Sequence, residues 1–175
     1  MFDRLELLIG KEALDVIKTK RILLVGCGGV GGACAVSLIR SGIQDLTIVD
    51  YDRVEESNLN RQAVARRSNI GKKKVDVLKE MLLDMNSEAK ITTLDLFLDE
   101  NNIDEIVNNF DYVIDACDSV KTKEALIKKC TSNNIKIISS MGTGNRLDPS
   151  KLEIIDIRKT SGDPLAKIIR KYIKD

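Results

Sequence analysis

The sequence predicts an α/β protein: a doubly wound, mostly parallel sheet with helices on both faces. Three observations predict it. Short, branched apolar runs alternate with stretches of helical periodicity, which is the pattern of strands joined by helical crossovers. The run Gly26-Cys27-Gly28-Gly29-Val30-Gly31-Gly32 joins the first apolar run to the first strongly helical stretch. Acidic residues close the second and fourth runs, at the carboxyl edge on which open α/β sheets bind ligands.

Taken in order, Met1 to Gly10 carries Arg4 and the cluster Leu5, Leu7, Leu8 and Ile9, and a helix is expected from about Lys11 to Lys18. Residues 1–20 read as an arm that packs on a partner. Arg21-Ile22-Leu23-Leu24-Val25 is strand one, and the helix from Val30 ends near Gly42, a natural stop. Leu46-Thr47-Ile48-Val49 is strand two, ending at Asp50. A helical segment follows Asn58-Leu59-Asn60-Arg61-Gln62 as far as Ile70, and Gly71-Lys72-Lys73-Lys74 opens a helix through about Met85. In that helix Val75, Leu78, Leu82 and Met85 recur at three and four, making one apolar face. Ile91 to Leu94 is strand three, Asp99 to Asn108 a short helix, and Tyr112-Val113-Ile114 strand four. A helix from Lys121 to Cys130 leads to strand five at Lys136 to Ser139. The loop Met141 to Arg146 follows, then a further strand from Leu152 to Ile157. Asp163-Pro164 starts the last helix, with proline where its missing N–H costs nothing.

Composition narrows the chemistry. With 175 residues the chain fits one domain, 1–175, with a substantial core. Lys+Arg 28 against Asp+Glu 27 leaves +1, so contact with RNA must come from a local patch and not from a global field. Histidine is absent, which removes the commonest general base and the commonest zinc ligand. Cys27, Cys34, Cys117 and Cys130 form no C-x-x-C pair, so neither a zinc clamp nor a dithiol redox motif is indicated. No signal segment or membrane-length apolar run is read, and a cytoplasmic protein without a membrane partner is expected.

Gly26, Gly28 and Gly31 satisfy G-x-G-x-x-G between a strand and a helix, the setting in which backbone N–H groups face a phosphate. An acid about twenty residues further on, at the end of the second strand, suits ribose hydroxyls, and Asp50 stands there. A nicotinamide enzyme would need only a pyrophosphate cradle. Here Arg61 and Lys74 add positive charge that suits a triphosphate of about four negative charges. Asp118, beyond strand four, is placed to hold a magnesium ion bridging phosphates.

These stretches carry a resemblance to the ThiF/MoeB/HesA family, bacterial relatives of ubiquitin-activating enzymes that use ATP to adenylate carboxylates. Its carriers are Gly26-Cys27-Gly28-Gly29-Val30-Gly31, Asp50 with Asp52, Asn58-Leu59-Asn60-Arg61-Gln62, Gly71-x-x-Lys74 and Asp115-x-x-Asp118-Ser119. The resemblance implies a Rossmann-like fold, ATP with Mg2+, and a nucleotide site that includes Gly29, Asp52 and Gln62. It further implies that Asp50 holds the ribose, that Asn58, Arg61 and Lys74 attend the phosphates, and that Asp118 supports the metal. Arg4 would reach the neighbouring subunit's site in a homodimer, giving a catalytic set of Arg61, Lys74, Asp118 and Arg4.

Within the family, Arg4 to Gly10, Ser140 to Pro149 and Lys159 to Leu165 resemble the branch that dehydrates threonylcarbamoyladenosine at position 37 of tRNA. The paired C-x-x-C motifs of the MoeB and ThiF branches are missing. Members of the dehydratase branch continue well beyond the position of Asp175, and substrate-binding or cysteine functions are expected there. The other readings are an activator of the C-terminal glycine of a small sulfur-carrier protein, with a sulfur-relay partner, and a non-catalytic nucleotide-binding module.

Overall fold

The structure, a computed structural model, describes residues 1–173. β1 (Arg21–Val25) lies at the centre of a five-stranded sheet of order β3-β2-β1-β4-β5 in which every pairing is parallel. Its neighbours are β2 (Asp45–Val49) and β4 (Tyr112–Asp115), flanked by the edge strands β3 (Lys90–Leu94) and β5 (Lys136–Ser139). The central strand is a continuous apolar run because both its faces are covered: Leu23 and Leu24, pointing opposite ways, are each fully buried. The edge strands are more polar, and exposed positions interrupt them.

Two cores follow from the two faces. On one, Ile22, Leu24, Leu46 and Ile48 pack with Ala35 and Ile39 of α3 (Gly29–Arg40) and Leu78 and Leu82 of α4 (Lys74–Met85). On the other, Leu23, Val25 and Val113 pack with Ile103 of α5 (Ile103–Ile106) and Leu126 and Cys130 of α6 (Val120–Ser132). α7 (Pro164–Ile173) lies on α6 through buried Ala166 and Ile169. α1 (Asp3–Ile9) and α2 (Lys11–Lys18) form the N-terminal arm; α1 buries no residue, and Leu7 and Leu8 are 88% and 80% exposed.

From β1 the chain winds out to β2 and β3 on one side, then returns to build β4 and β5 on the other. This reversal sends the helices that follow β1 and β4 to opposite faces of the sheet and opens a crevice beyond the carboxyl ends of the two strands.

Three local expectations are corrected. Leu152 to Ile157 is no strand: it runs without a ladder partner between 3-10 turns at Pro149–Lys151 and Ile157–Lys159, which the Asp148 and Asp156 side chains start by accepting the Ser150 and Arg158 N–H groups. The helix expected over Asp99 to Asn108 shrinks to α5, since the Asn102 carboxamide takes the Asp99 N–H and donates to the Phe97 carbonyl, holding the preceding residues in a turn. The segment from Gln62 to Ile70 is not a helix but an irregular loop with a 3-10 turn at Arg67–Asn69, preceded by another at Glu56–Asn58.

Candidate active site

A cleft of about 570 Å³ occupies the crevice at the carboxyl ends of β1, β2 and β4. Its floor is the loop from β1 to α3. Gly26 sits at φ +96°, and a Cβ there would lie 2.7 Å from the Ala116 carbonyl oxygen, so glycine is what allows the ends of β1 and β4 to close on each other. A Cβ on Gly31 would come within 1.8 Å of the Gly26 carbonyl oxygen, so α3 begins directly on the loop. The helix starts after Gly28 with no side-chain cap and no acidic residue in its first turn, which leaves its N–H groups and the positive end of its dipole for an anion.

Asp50 braces this loop. One carboxylate oxygen accepts the Cys27 N–H at 2.6 Å and the other the Asp52 N–H at 2.8 Å. Each oxygen keeps a lone pair, so the carboxylate that braces the loop can still accept further hydrogen bonds from the cleft. Lys74, at the start of α4 and only 5% exposed, donates to Asp52 at 2.7 Å, and both residues border the cleft. Arg61 also borders it, with its guanidinium donating to the Ser57 carbonyl at 2.9 Å and to Asn60 at 3.0 Å, while its own carbonyl lies 3.3 Å from the Cβ position of Gly29. Asn58 is buried and shapes this turn by accepting the Glu55 N–H. Gln62 is buried beside Gly28, and its side-chain oxygen has no partner among the described residues. A polar atom so placed fits a bound ligand better than a packed interior.

Four acids stand at this edge, and three are committed. Asp50 holds backbone N–H groups, Asp52 holds Lys74, and Asp115 holds Lys123. Asp118 is exposed on the cleft with no hydrogen bond or ion pair among the described residues. A magnesium ion fits this arrangement only together with phosphate oxygens, since no group of three metal-binding side chains is found among the described residues.

Lys123 is the residue that sequence reasoning missed. Its side chain is fully buried, and Nζ donates to both Asp115 oxygens, at 3.0 and 2.9 Å, and to the Ser140 carbonyl at 2.7 Å, so its three protons find three acceptors. The signal was available: Lys123 falls among the apolar-facing positions of its helix, eight residues after an acid that ends a central strand. Its neighbour Thr122 donates to the Leu98 carbonyl at 2.8 Å, tying α6 to the Leu96–Leu98 wall of the cleft. Tyr51 and Phe97 meet edge to face at the mouth, with centroids 5.1 Å apart. The Tyr51 phenol is pushed above its ordinary range, chiefly by Asp52, then by burial and by Asp118.

The cysteines are quiet. Burial pushes the Cys27 and Cys117 thiols well up, with Asp50 and Asp115 respectively adding to the effect, and burial holds Cys130 at about 11. Cys117 Sγ donates to Asp115 at 3.1 Å. None of these three is a thiolate at neutral pH.

Gly31 lies beneath the cleft and does not border it, and Arg4 is elsewhere. Residues 1–3 and Glu6 border a second cleft with Met85–Glu88, where α4 turns toward the amino end of β3. Within one chain Arg4 therefore does not meet Asp118.

The ThiF family profile matches residues 2–152. The chain is 41% identical over 174 residues to the tRNA threonylcarbamoyladenosine dehydratase of Bacillus subtilis (strain 168), covering 99% of this chain and 68% of that protein. With the Escherichia coli (strain K12) protein of that name it shares 39% over 168 residues, covering 95% of this chain and 63% of that one. It superposes with a TM-score of 0.96 and 38% identity on the crystal structure of the E. coli dehydratase TcdA in complex with ATP, over 99% of this chain and 72% of that one. The chain thus spans roughly two thirds of the length of these curated relatives.

Proposed function

The chain belongs to the ThiF family, and on that premise we propose that it is an ATP-dependent tRNA threonylcarbamoyladenosine dehydratase. The observation that carries this reading is the likeness to such dehydratases over nearly the whole chain, together with a cleft whose anion-binding floor, braced acid and flanking cations suit ATP. The substrate is tRNA bearing the threonylcarbamoyl group on adenosine 37, and the product is its cyclised form.

ATP lies with its ribose at Asp50 and its phosphates over the start of α3, between Gln62, Arg61 and Lys74. A carboxylate oxygen of the substrate's threonyl group attacks the α-phosphorus; that O–P bond forms, the bond to the bridging oxygen breaks, and pyrophosphate leaves. A carboxylate oxygen is a poor leaving group and AMP a good one, so the acyl-adenylate is then closed by a nucleophile of the same modification with net loss of water. An intramolecular closure draws on proximity and needs no strong protein base, which suits a chain without histidine. Arg61 and Lys74 supply fixed charge where negative charge shifts between oxygens, and Asp118 is the residue that would hold Mg2+, whose contribution is to neutralise the leaving pyrophosphate. No thiol takes part in the adenylating step, in keeping with the protonated cysteines.

We further propose a homodimer in which Arg4, remote from its own cleft, completes the partner's; the exposed Leu7 and Leu8 of α1 are the apolar surface for that contact. Among the described residues no helix is long and apolar enough to cross a membrane, consistent with work on a cytoplasmic tRNA.

The test is purified protein with ATP, Mg2+ and tRNA carrying the modification: AMP and pyrophosphate release, and an 18 Da loss at adenosine 37, are expected. Calorimetry should show ATP bound in preference to NAD. Adenylation that depends on a small carrier protein and not on tRNA would refute the dehydratase assignment.

A further inference from the structure

The two flanks of the cleft are unequal. The β2 side brings Asp50, Arg61 and Lys74, the groups that suit ribose and phosphates. The β4 side brings Asp118, Ser119, whose hydroxyl caps α6 by accepting the Thr122 N–H, Thr122, whose hydroxyl is given to the Leu98 carbonyl, and, from beyond β5, Thr143. Thr143 sits at the tip of the loop 140–146, between Gly142 and Gly144, and this loop is anchored at both ends.

At its start, the Ser140 N–H donates to the Asp115 carbonyl at 2.8 Å and the Ser140 carbonyl accepts the buried Lys123 ammonium at 2.7 Å. At its end, Arg146 donates to the Gly162 carbonyl at 2.9 Å and to Asp163 at 3.4 Å. Asp163 is itself fixed, because its other oxygen accepts the Ala166 N–H at 2.8 Å and starts α7. Gly142 passes so close to this anchor that a Cβ there would stand 3.0 Å from the Asp163 carboxylate. An exposed loop with a buried ammonium at one end and a helix cap at the other is built to hold its tip in one place.

Given the dehydratase reading above, on which this rests, we propose that Thr143 grips the substrate's carboxylate and thereby selects which carboxylate is adenylated. A hydroxyl fits that task beside a triphosphate. A lysine or arginine at the same spot would be drawn to the phosphates, whereas a neutral O–H donates one hydrogen bond to one carboxylate oxygen and leaves the other free to attack. No proton changes hands. The gain is orientation: the attacking oxygen is presented to the α-phosphorus from the flank opposite Arg61 and Lys74.

The experiment measures steady-state turnover of modified tRNA, with ATP affinity by calorimetry, for the purified chain and three variants. Thr143→Val keeps the shape and removes the donor; kcat/KM for tRNA should fall about tenfold or more while the ATP Kd stays within about twofold. Thr143→Ser should stay within about threefold of the parent, a rescue that a merely structural role for the methyl group would not give. Gly142→Ala crowds Asp163 without reaching the nucleotide side, and should lower kcat/KM for tRNA by tilting the loop. A parent enzyme active on modified tRNA and a Thr143→Val variant equal to it would overturn the assignment of Thr143 alone. A parent enzyme that forms no AMP with modified tRNA would overturn the dehydratase reading, and this assignment with it.

Discussion

Replacing Lys123 by methionine isolates the energetic role of the buried ion pair. The change keeps most of the side chain's volume and removes its charge. Asp115, fully buried, is left with a carboxylate whose only remaining donors among the described residues are the Cys117 N–H at 3.2 Å and the Cys117 thiol, and the Ser140 carbonyl loses its ammonium donor. Breaking a buried pair from one side costs about 3–5 kcal/mol, because the surviving charge is stranded away from water. Against a total stability of about 5–15 kcal/mol that is a large share. At about 2–4 °C per kcal/mol for a chain of this size, the unfolding midpoint should drop by about 6–20 °C.

Removing both charges, as Lys123→Met with Asp115→Leu, should recover much of this loss, since an apolar pair of similar volume often costs little. Recovery should stop short of the parent by about 1–3 kcal/mol, the cost of the Ser140 carbonyl left without its donor. Asp118→Asn, three residues away but exposed and unpaired among the described residues, should change stability by less than about 0.5 kcal/mol. Urea unfolding followed by circular dichroism reads all three. A single variant within 1 kcal/mol of the parent, or a double variant no more stable than the single, would refute the stranded-charge account.

Three further outcomes are expected. Asp50→Asn can keep only one of the two backbone N–H bonds, so it should cost about 1–3 kcal/mol in stability and also weaken ATP, which calorimetry and thermal melts can score together; weaker ATP with an unchanged melt would confine Asp50 to the ribose. Mixing Arg4→Ala with Asp118→Ala subunits should restore activity in demonstrated heterodimers, where one cleft keeps both residues, and no restoration there would refute an arginine acting across the interface. Because burial raises the thiols of Cys27 and Cys117, their thiolate fractions stay low until the pH rises well above the usual cysteine range, so native protein should alkylate slowly at both from pH 7 to 9 and a cysteine-free variant should still adenylate; rapid alkylation of Cys117 would overturn its inert role.

Much of this architecture was legible because it rests on local rules. The five strands announce themselves as branched apolar runs, and the glycine loop needs residues without a Cβ, so β1, its loop and Asp50 stand where spacing put them. What sequence alone did not reveal depends on contacts made at a distance. Leu152 to Ile157 has strand-like composition, but Asp148 and Asp156 accept nearby backbone N–H groups and turn the chain on either side of it. Asp115 and Asp118 look alike in sequence, yet one lies in the core against Lys123 and the other faces the cleft, a difference set by which way β4 turns at its end. Asp50 was read as a ribose ligand from its position; that it also ties down the Cys27 and Asp52 amides became visible only when β1 and β2 were laid side by side.

The crevice has a consequence for how the chain acquires its site during folding. β1 meets β2 through a short connection, but its other neighbour, β4, arrives some ninety residues later, the separation of the Arg21–Asp111 contact. The half formed by β1, α3 and β2 can assemble early, since its pairings are close in sequence. It then holds a complete glycine loop and Asp50 but only one wall. The second wall, with Ala116 pressed against Gly26, arises when β4 inserts and Lys123 closes behind it. Nucleotide should therefore bind the half-built sheet, with one wall, more weakly than the finished one, so that its binding free energy favours the sheet with β4 in place.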